Sequence, residues 1–171
     1  MQTLETNALP RFDTSVNTTG CCAKFNPVGW DNRMLHFRDK PFVRALTKSA
    51  LHVPLNMGRV FTRVLRHLED GGACDPEQMI VLSRDLTAWE AEHLFAVTRK
   101  VDGEDMTTLT GDFITRVFEG PYHKAKDWVH DMQVTARAIG RQPGAVYMFY
   151  TTCPRCAKVY GQNYVVGLVQ V

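Results

Sequence analysis

Apolar residues recur with two different periods in the first half of the chain, and the change of period marks a strand followed by a helix. Over residues 40–53 they form a half-buried, strand-like run that stops at Pro54. From Asn56, which fits the N-cap position, the spacing changes to three and four residues. This helical stripe ends at Gly71 and comprises Met57, Val60, Phe61, Val64, Leu65 and Leu68.

The strands and helices predicted after this point repeat the same order. Residues 79–83 and 92–99 predict a hairpin, and residues 107–118 predict a further strand. Gly120 and Pro121 mark the start of a second helix, which Gly140 closes. Residues 145–151 and 163–171 predict a last hairpin around a turn with Pro154 and Gly161. The buried face of the second helix is predicted to hold Tyr122, Ala125, Val129, Met132, Ala136 and Ile139.

This duplication predicts an α+β fold of tandem βαββ repeats, over about residues 40–102 and 105–171. Residues 1–39, rich in Thr and Asn at their start, are expected to form an extended arm. The two repeats would share one continuous antiparallel sheet with both helices packed on one face, leaving the other face to line a cleft. Independent α+β elements in another order are the alternative.

Length and composition narrow the classes of partner. With 171 residues, of which 44% are hydrophobic and 22% charged, the chain is expected to be one domain or two small halves that share a core. A formal charge of +2 without a basic block gives no support for nucleic-acid binding. No apolar window reaches the roughly 18 residues of a membrane span, and the amino terminus lacks a signal-peptide pattern. We therefore expect a cytoplasmic monomer or homodimer with no nucleic-acid or membrane partner.

The cysteines are the strongest chemical signal in the sequence. Cys153 and Cys156 enclose a Pro-Arg pair, so that both sulfurs face one ion as in a zinc knuckle. Cys21 and Cys22 would complete a four-sulfur structural zinc site if the amino-terminal arm folds across the last hairpin. Such a site is coordinatively closed, which favours a structural over a catalytic metal. Cys74 has no cysteine neighbour and is expected to be inert.

Two alternatives to this zinc site stay open. Adjacent cysteines make a strained pair of ligands, so His36 or His123 is an alternative donor for one of them. The thiols are also consistent with a redox dithiol or disulfide, or with incidental thiols. The redox interpretation ranks lower. In thioredoxin-like enzymes Cys-x-x-Cys opens a helix after a strand, whereas Cys153 and Cys156 are predicted to lie between two strands.

Carboxylates among aromatic side chains form a second candidate site. Glu92 is predicted to face the cleft if Phe95, on the opposite face of its strand, faces the helices. Burial among aromatic rings would raise the pKa of this carboxyl, which suits a general acid or base, with Tyr147 or Tyr150 assisting. The catalytic candidates are Glu92 and Tyr150. The ligand-binding candidates are Trp89, Glu90, Glu119, Tyr122 and Tyr147. Ser49 and Ser83 would be nucleophiles only with a base beside them.

The segment 110–122, which ends in Glu119, Gly120, Pro121 and Tyr122 and leads into a helix with Trp128, resembles a corner in the GyrI-like small-molecule-binding domains. The resemblance implies a cleft for small aromatic or cationic molecules between two repeats. Some members of that family hydrolyse reactive cyclopropane-bearing compounds, and others only bind. The cysteine pairs, Trp30-Asp31 and the segment 150–161 resemble a bacterial subgroup that carries a hydrolase label, and no DNA-binding helix-turn-helix precedes the domain.

Three functions follow from these features. The first is a binding protein that holds a small hydrophobic or cationic molecule in an aromatic, carboxylate-containing cleft. The second is a hydrolase in which Glu92 activates water against a strained or electrophilic substrate. The third is a thiol redox or metal-handling protein.

Overall fold

The computed structural model describes residues 2–11 and 13–171, which form a mixed α+β fold. The strands are β1 (Gln2–Thr3), β2 (Arg33–Ala50), β3 (Val53–Pro54), β4 (Val81–Asp85), β5 (Glu90–Ala96), β6 (Asp105–Glu119), β7 (Val146–Tyr150) and β8 (Tyr164–Gln170). The α-helices are α1 (Met57–Asp70), α2 (Ala125–Ala138) and α3 (Pro154–Tyr160). In the part of the chain that the structure describes, none of the helices is long and apolar enough to cross a bilayer.

The chain divides into two compact units. One is Asp39–Leu109, and the other joins the residues up to Arg38 with Thr110–Val171. Apart from the two-residue strands β1 and β3 and helix α3, each unit runs strand, helix, strand, strand, which confirms the predicted βαββ order. The residues up to Arg38, which the sequence assigned to an extended arm, belong to the same unit as the second half of the sequence, and β1 pairs in parallel with the start of β2.

The Asp39–Leu109 unit packs α1 on antiparallel strands. β5 lies between β2 and β4, with Phe95 opposite Val43 on one side and Val81 on the other. Val64 and Leu68, from the apolar stripe of α1, pack with Val43 and Phe95 in the core of this unit. The predicted hairpin is confirmed, with each strand displaced by two residues at most at its start. The predicted stripe is confirmed at Val60, Val64 and Leu68. Leu65, expected on the same face, is 43% exposed, because successive helical residues are rotated by about 100° and Leu65 falls at the edge of the face centred on Val64.

Helix α1 begins where the sequence predicts, although its N-cap works differently. Asn56 occupies the N-cap position, but its side chain makes no capping hydrogen bond. Its Oδ1 instead accepts the backbone N–H of Lys48 at 2.8 Å, which joins the helix start to β2. At the other end, the N–H of Gly71 donates to the carbonyl of His67 at 3.0 Å.

In the second unit, α2 packs on strands β6, β7 and β8. β8 lies between β6 and β7 and pairs antiparallel with both. Trp128, Met132 and Ala136 are the buried residues of α2, so part of the predicted face is confirmed. Ile139 was expected on that face but is 48% exposed, because the helix ends at Ala138 and Ile139 is already its C-cap.

The connection between β7 and β8 corrects a prediction. A turn was expected, but the residues form α3, with Cys153 at the N-cap and Pro154 in its first turn. Proline favours this position because its fixed φ suits a helix start and its missing N–H has no partner there. Gly161 ends the helix in the left-handed region, with φ of 67°. Cys-x-x-Cys therefore does open a helix after a strand, and the reason for ranking redox chemistry lower is wrong.

The residues before β2 are held by an aromatic cluster. Trp30 is fully buried and lies 5.6 Å from Phe25 and 5.7 Å from Phe149, measured between ring centroids. β2 itself begins at Arg33, seven residues before the predicted start at Lys40. Apolar burial of these rings fixes a segment whose sequence lacks strand or helix periodicity.

A buried histidine network lies under α1 in the Asp39–Leu109 unit. His93 is 1% exposed; its Nδ1 lies 2.8 Å from Ser83 Oγ and its Nε2 lies 2.8 Å from Thr47 Oγ1. Phe61 of α1 packs edge-on against the imidazole, 4.9 Å away. Burial lowers the pKa of His93 to about 4, against a partly opposing effect of the charges on Asp85 and Glu92. The ring is therefore neutral at pH 7.

This network predicts acid sensitivity. The unfolded chain takes up a proton at His93 near pH 6.5, whereas the folded protein resists it until about pH 4. The contribution of His93 to the free energy of unfolding is therefore complete above pH 6.5 and falls by about 3 kcal/mol as the pH drops to 4. Urea unfolding at several pH values measures it. In His93→Gln the free energy of unfolding should change less steeply between pH 6.5 and 4. The control His123→Gln, at an exposed position, should keep the slope of the wild type. Equal slopes in the wild type and both variants would show that His93 does not cause the acid sensitivity.

Candidate metal centre

Four cysteine sulfurs from two distant segments meet in the unit that contains Thr110–Val171. The Sγ atoms of Cys21, Cys22, Cys153 and Cys156 all lie within 4.8 Å of one another. The Sγ atoms of the adjacent pair, Cys21 and Cys22, are 3.7 Å apart. Cys156 is buried in α3, Cys22 and Cys153 are half-buried, and Cys21 is exposed.

Thr19 shapes the segment that carries the first two cysteines. Its hydroxyl oxygen accepts the backbone N–H of Cys21 at 3.2 Å and that of Cys22 at 3.3 Å. This is the local turn that Thr side chains favour two and three residues ahead. The same hydroxyl oxygen lies 3.2 Å from Cys156 Sγ, so one side chain orients both cysteine pairs.

Two further hydrogen bonds join the segments. The backbone N–H of Cys153, at the start of α3, donates to Cys22 Sγ at 3.5 Å. The hydroxyl of Tyr160, in the last turn of α3, donates to the carbonyl of Cys22 at 2.6 Å. These bonds hold the segment with Cys22 against the start and the last turn of α3.

The sulfurs differ in how readily they ionise. The hydrogen bond between Cys156 and Thr19 is the largest of several effects that lower the pKa of Cys156 to about 6, and burial opposes it. Burial raises the pKa of Cys22 far above its ordinary value. A cation among the sulfurs would favour the thiolate of every ligand, because metal binding and proton loss are coupled.

The spacing suits a tetrahedral ion. A zinc–sulfur bond of about 2.3 Å puts the sulfurs of a tetrahedral site about 3.8 Å apart. The 3.7 Å between Cys21 Sγ and Cys22 Sγ matches that edge. All other pairs in the cluster are within 4.8 Å, so closure around an ion needs shifts on the order of 1 Å.

The histidines proposed as substitute ligands have different surroundings. His36 Nδ1 lies 2.8 Å from Asp112 Oδ1, and the carboxylate also accepts from Arg38 at 2.8 Å. His123 lies in the single 3-10 turn that precedes α2. Cys74 belongs to the Asp39–Leu109 unit, where burial raises its pKa.

Glu92, the predicted general acid or base, is buried in an arginine clamp. Its two carboxylate oxygens accept hydrogen bonds from the Nε atoms of Arg44 and Arg84, each at 2.6 Å. Burial raises the pKa of Glu92, as the sequence predicted, but the two arginines outweigh burial and the pKa is lowered. The carboxyl is therefore ionised at neutral pH. Phe95 packs against α1, which confirms that Glu92 lies on the opposite face of β5.

The other predicted binding residues are divided between the two units. In Asp39–Leu109, Trp89 is 62% exposed and Glu90 is half-buried at the start of β5. In the other unit, Glu119 is exposed at the end of β6 and Tyr147 is buried against Phe113.

Tyr122 and Tyr150 lie beside the cysteine segment. Their ring centroids are 5.9 Å apart, and the Tyr122 hydroxyl donates to the carbonyl of Thr152 at 2.6 Å. Thr152 immediately precedes Cys153, so one predicted binding residue, Tyr122, and one predicted catalytic residue, Tyr150, are neighbours of the predicted metal ligands.

Sequence reasoning missed the side chains that support these sites. Thr19 could have been found from its position two residues before Cys21, since that spacing is typical of a Thr turn. The arginines around Glu92 depend on strand register, which the sequence did not reveal. Ser83 does have a base beside it in His93, but the residues are 8% and 1% exposed and lie under α1.

Comparison with known families adds to this geometry. A family model described as bacterial hydrolase matches residues 12–171, which includes all four cysteines of the cluster, Glu92 and the tyrosine pair. No curated protein matches the chain. Since the match extends over most of the sequence, the chain belongs to the bacterial hydrolase family.

Proposed function

We propose that Cys21, Cys22, Cys153 and Cys156 bind one Zn²⁺ that fastens the amino-terminal segment to α3. The observation that carries this proposal is the meeting of four sulfurs within 4.8 Å. An all-thiolate donor set selects zinc or another thiophilic ion over the oxygen-preferring Mg²⁺ and Ca²⁺. The reducing cytoplasm, our proposed compartment, keeps such thiols available.

The ligand set favours a structural role for the metal. Four thiolates fill a tetrahedral coordination shell and leave no position for water or substrate. Thr19, Tyr160 and the N–H of Cys153 already orient the donors, as outer hydrogen bonds do in metal sites. The zinc would therefore contribute folding free energy to residues that bury few apolar side chains.

Metal analysis tests the site. Protein purified without added metal should contain one equivalent of zinc, and Cys22→Ser and Cys153→Ser should lose it. Because the metal contributes to folding, chelation should lower the Tm by roughly 10 °C.

Cys74→Ser is the matched control for these variants and should keep both its zinc and its Tm, since Cys74 is outside the cluster. One equivalent of zinc in Cys153→Ser would contradict the proposal. A zinc-free wild type that forms a Cys153–Cys156 disulfide would favour redox chemistry, which the helix-opening position of this pair supports.

A second candidate function is hydrolysis of a small organic molecule, and the family match carries it. We infer a GyrI-like, small-molecule site from the corner at Glu119 and Tyr122, with an aromatic contact from Tyr150, all within the unit that contains Thr110–Val171. A closed zinc supplies no water activation, so this chemistry would need side chains. The ligand class stays hydrophobic or cationic, with a strained or electrophilic bond if the protein is an enzyme.

Glu92 is the catalytic candidate in the Asp39–Leu109 unit, and Tyr150 is the separate catalytic candidate in the other unit. An ionised Glu92 accepts a proton and stabilises developing positive charge, whereas it has none to donate near neutral pH. The role of Glu92 is therefore that of a base or an electrostatic group. If the protein is a binder and not an enzyme, its ligand occupies this site and no bond is hydrolysed.

Substrate turnover distinguishes an enzyme that hydrolyses the small molecule from a protein that only binds it. Esters, lactones and cyclopropane-bearing compounds are incubated with enzyme and followed by mass spectrometry, alongside a thermal-shift screen. Loss of a catalytic base should reduce kcat in Glu92→Gln by about 100-fold or more, whereas loss of a ligand-binding carboxylate in Glu90→Gln should raise KM and retain kcat. Binding without product in wild type would identify a binder, and equal turnover in both variants would exclude Glu92.

The same variants predict a difference in stability. Glu92→Gln leaves two guanidinium groups without their carboxylate, so the free energy of unfolding should fall by about 2 kcal/mol, allowing for partial exposure of the arginines. Glu90→Gln should change it by less than about 0.5 kcal/mol. Urea titrations measure both values. A Glu92→Gln protein as stable as wild type would show that the clamp adds nothing to folding.

A further inference from the structure

We propose that an apolar surface on the Asp39–Leu109 unit pairs with the same surface of a second copy of this chain. The tip surface, as we name it, consists of five side chains on two neighbouring turns. They are Leu51, Val53, Leu55, Leu86 and Trp89, which are 71%, 61%, 68%, 38% and 62% exposed.

Backbone hydrogen bonds hold the two turns side by side. The N–H of His52 donates to the carbonyl of Ala88 at 2.9 Å, and that of Ser49 donates to the carbonyl of Trp89 at 2.8 Å. The N–H of Leu55 donates to the carbonyl of Lys48 at 2.8 Å. The five exposed apolar side chains are thus carried by backbone segments that are hydrogen-bonded to one another at one end of the strands.

One of the five side chains, Leu51, lies in the β2–β3 turn, where the backbone conformation is unfavourable for leucine. Ala50 pairs with Val53, so Leu51 and His52 form a two-residue loop, and their φ angles are 48° and 70°. Positive φ at both positions is the I′ geometry that favours Asn-Gly, and a leucine there is strained. Within this chain Leu51 recovers little by burial, since 71% of it is exposed. A strained, exposed apolar residue indicates use in an interface.

The size of the tip surface fits a dimer. From their exposed fractions, the five side chains present roughly 600 Å² to solvent, against about 800 Å² that each partner contributes to a standard interface. A central tryptophan with aliphatic neighbours is the composition of an interface core.

The charges around the tip surface favour a second copy over an anionic membrane. Lys48 pairs with Glu90 across β2 and β5, and His52 Nδ1 lies 2.6 Å from Asp85 Oδ2. Each of these carboxylates has a basic neighbour, so the four groups carry no excess of positive charge that would attract anionic lipid. In a twofold pairing, the lysine of one copy is able to face a carboxylate of the other.

Analytical ultracentrifugation over a concentration series tests the proposal with two variants. Trp89→Ala removes the largest side chain and should raise the dimer Kd about 100-fold. Leu51→Asn removes apolar surface while relieving the turn, so it should raise the Kd about tenfold yet unfold at a Tm no lower than wild type. This second variant separates loss of pairing from loss of folding.

Val28→Ser, at an exposed apolar position in the other unit, is the control and should dimerise like wild type. A wild type that stays monomeric at about 200 µM would overturn the proposal, as would a Trp89→Ala protein with unchanged Kd. Vesicles of phosphatidylcholine and phosphatidylglycerol test whether the tip surface binds a membrane. Co-sedimentation of wild type, but not of Trp89→Ala, with them would assign the surface to a membrane instead.

Discussion

The meeting of four sulfurs is the constraint on which the arrangement of the larger unit depends. It joins Cys22 to Cys153, 131 residues later in the chain, and places the amino-terminal segment against α3. That segment buries Phe25 and Trp30 against aromatic neighbours, and the sulfur cluster adds a second restraint at Cys22. Side-chain and backbone hydrogen bonds add directional restraint, and a bound zinc would add more free energy than either.

Two adjacent residues in the Asp39–Leu109 unit show how one strand produces opposite electrostatic outcomes. Glu92 and His93 are both buried, yet they lie on opposite faces of β5. Glu92 meets two guanidinium groups and stays charged, because its desolvation is offset by close opposite charges. His93 meets only hydroxyl groups and an aromatic ring, so burial keeps it neutral.

The hydrolase family and the sulfur cluster make different demands on the chain. A four-thiolate metal stabilises structure but offers no open position for a reacting water. Hydrolysis would then rely on carboxylate and phenol groups, among which Tyr122 and Tyr150 lie beside Thr152 and thus beside the cluster. The metal would in that case act on the chemistry only by holding nearby backbone in place.

Local sequence patterns were enough to predict the βαββ order, most of the apolar stripe of α1 and the grouping of the four cysteines. Apolar periodicity predicts the helices and strands, glycines mark the helix ends, and cysteine spacing indicates the cluster. Tertiary structure decided what depends on distant neighbours: α3 in place of a turn, the packing of the residues before β2 with the second half, and the arginines that lower the pKa of Glu92. Strand register sets which side chains face one another, and register follows from packing across the sheet and not from any single segment.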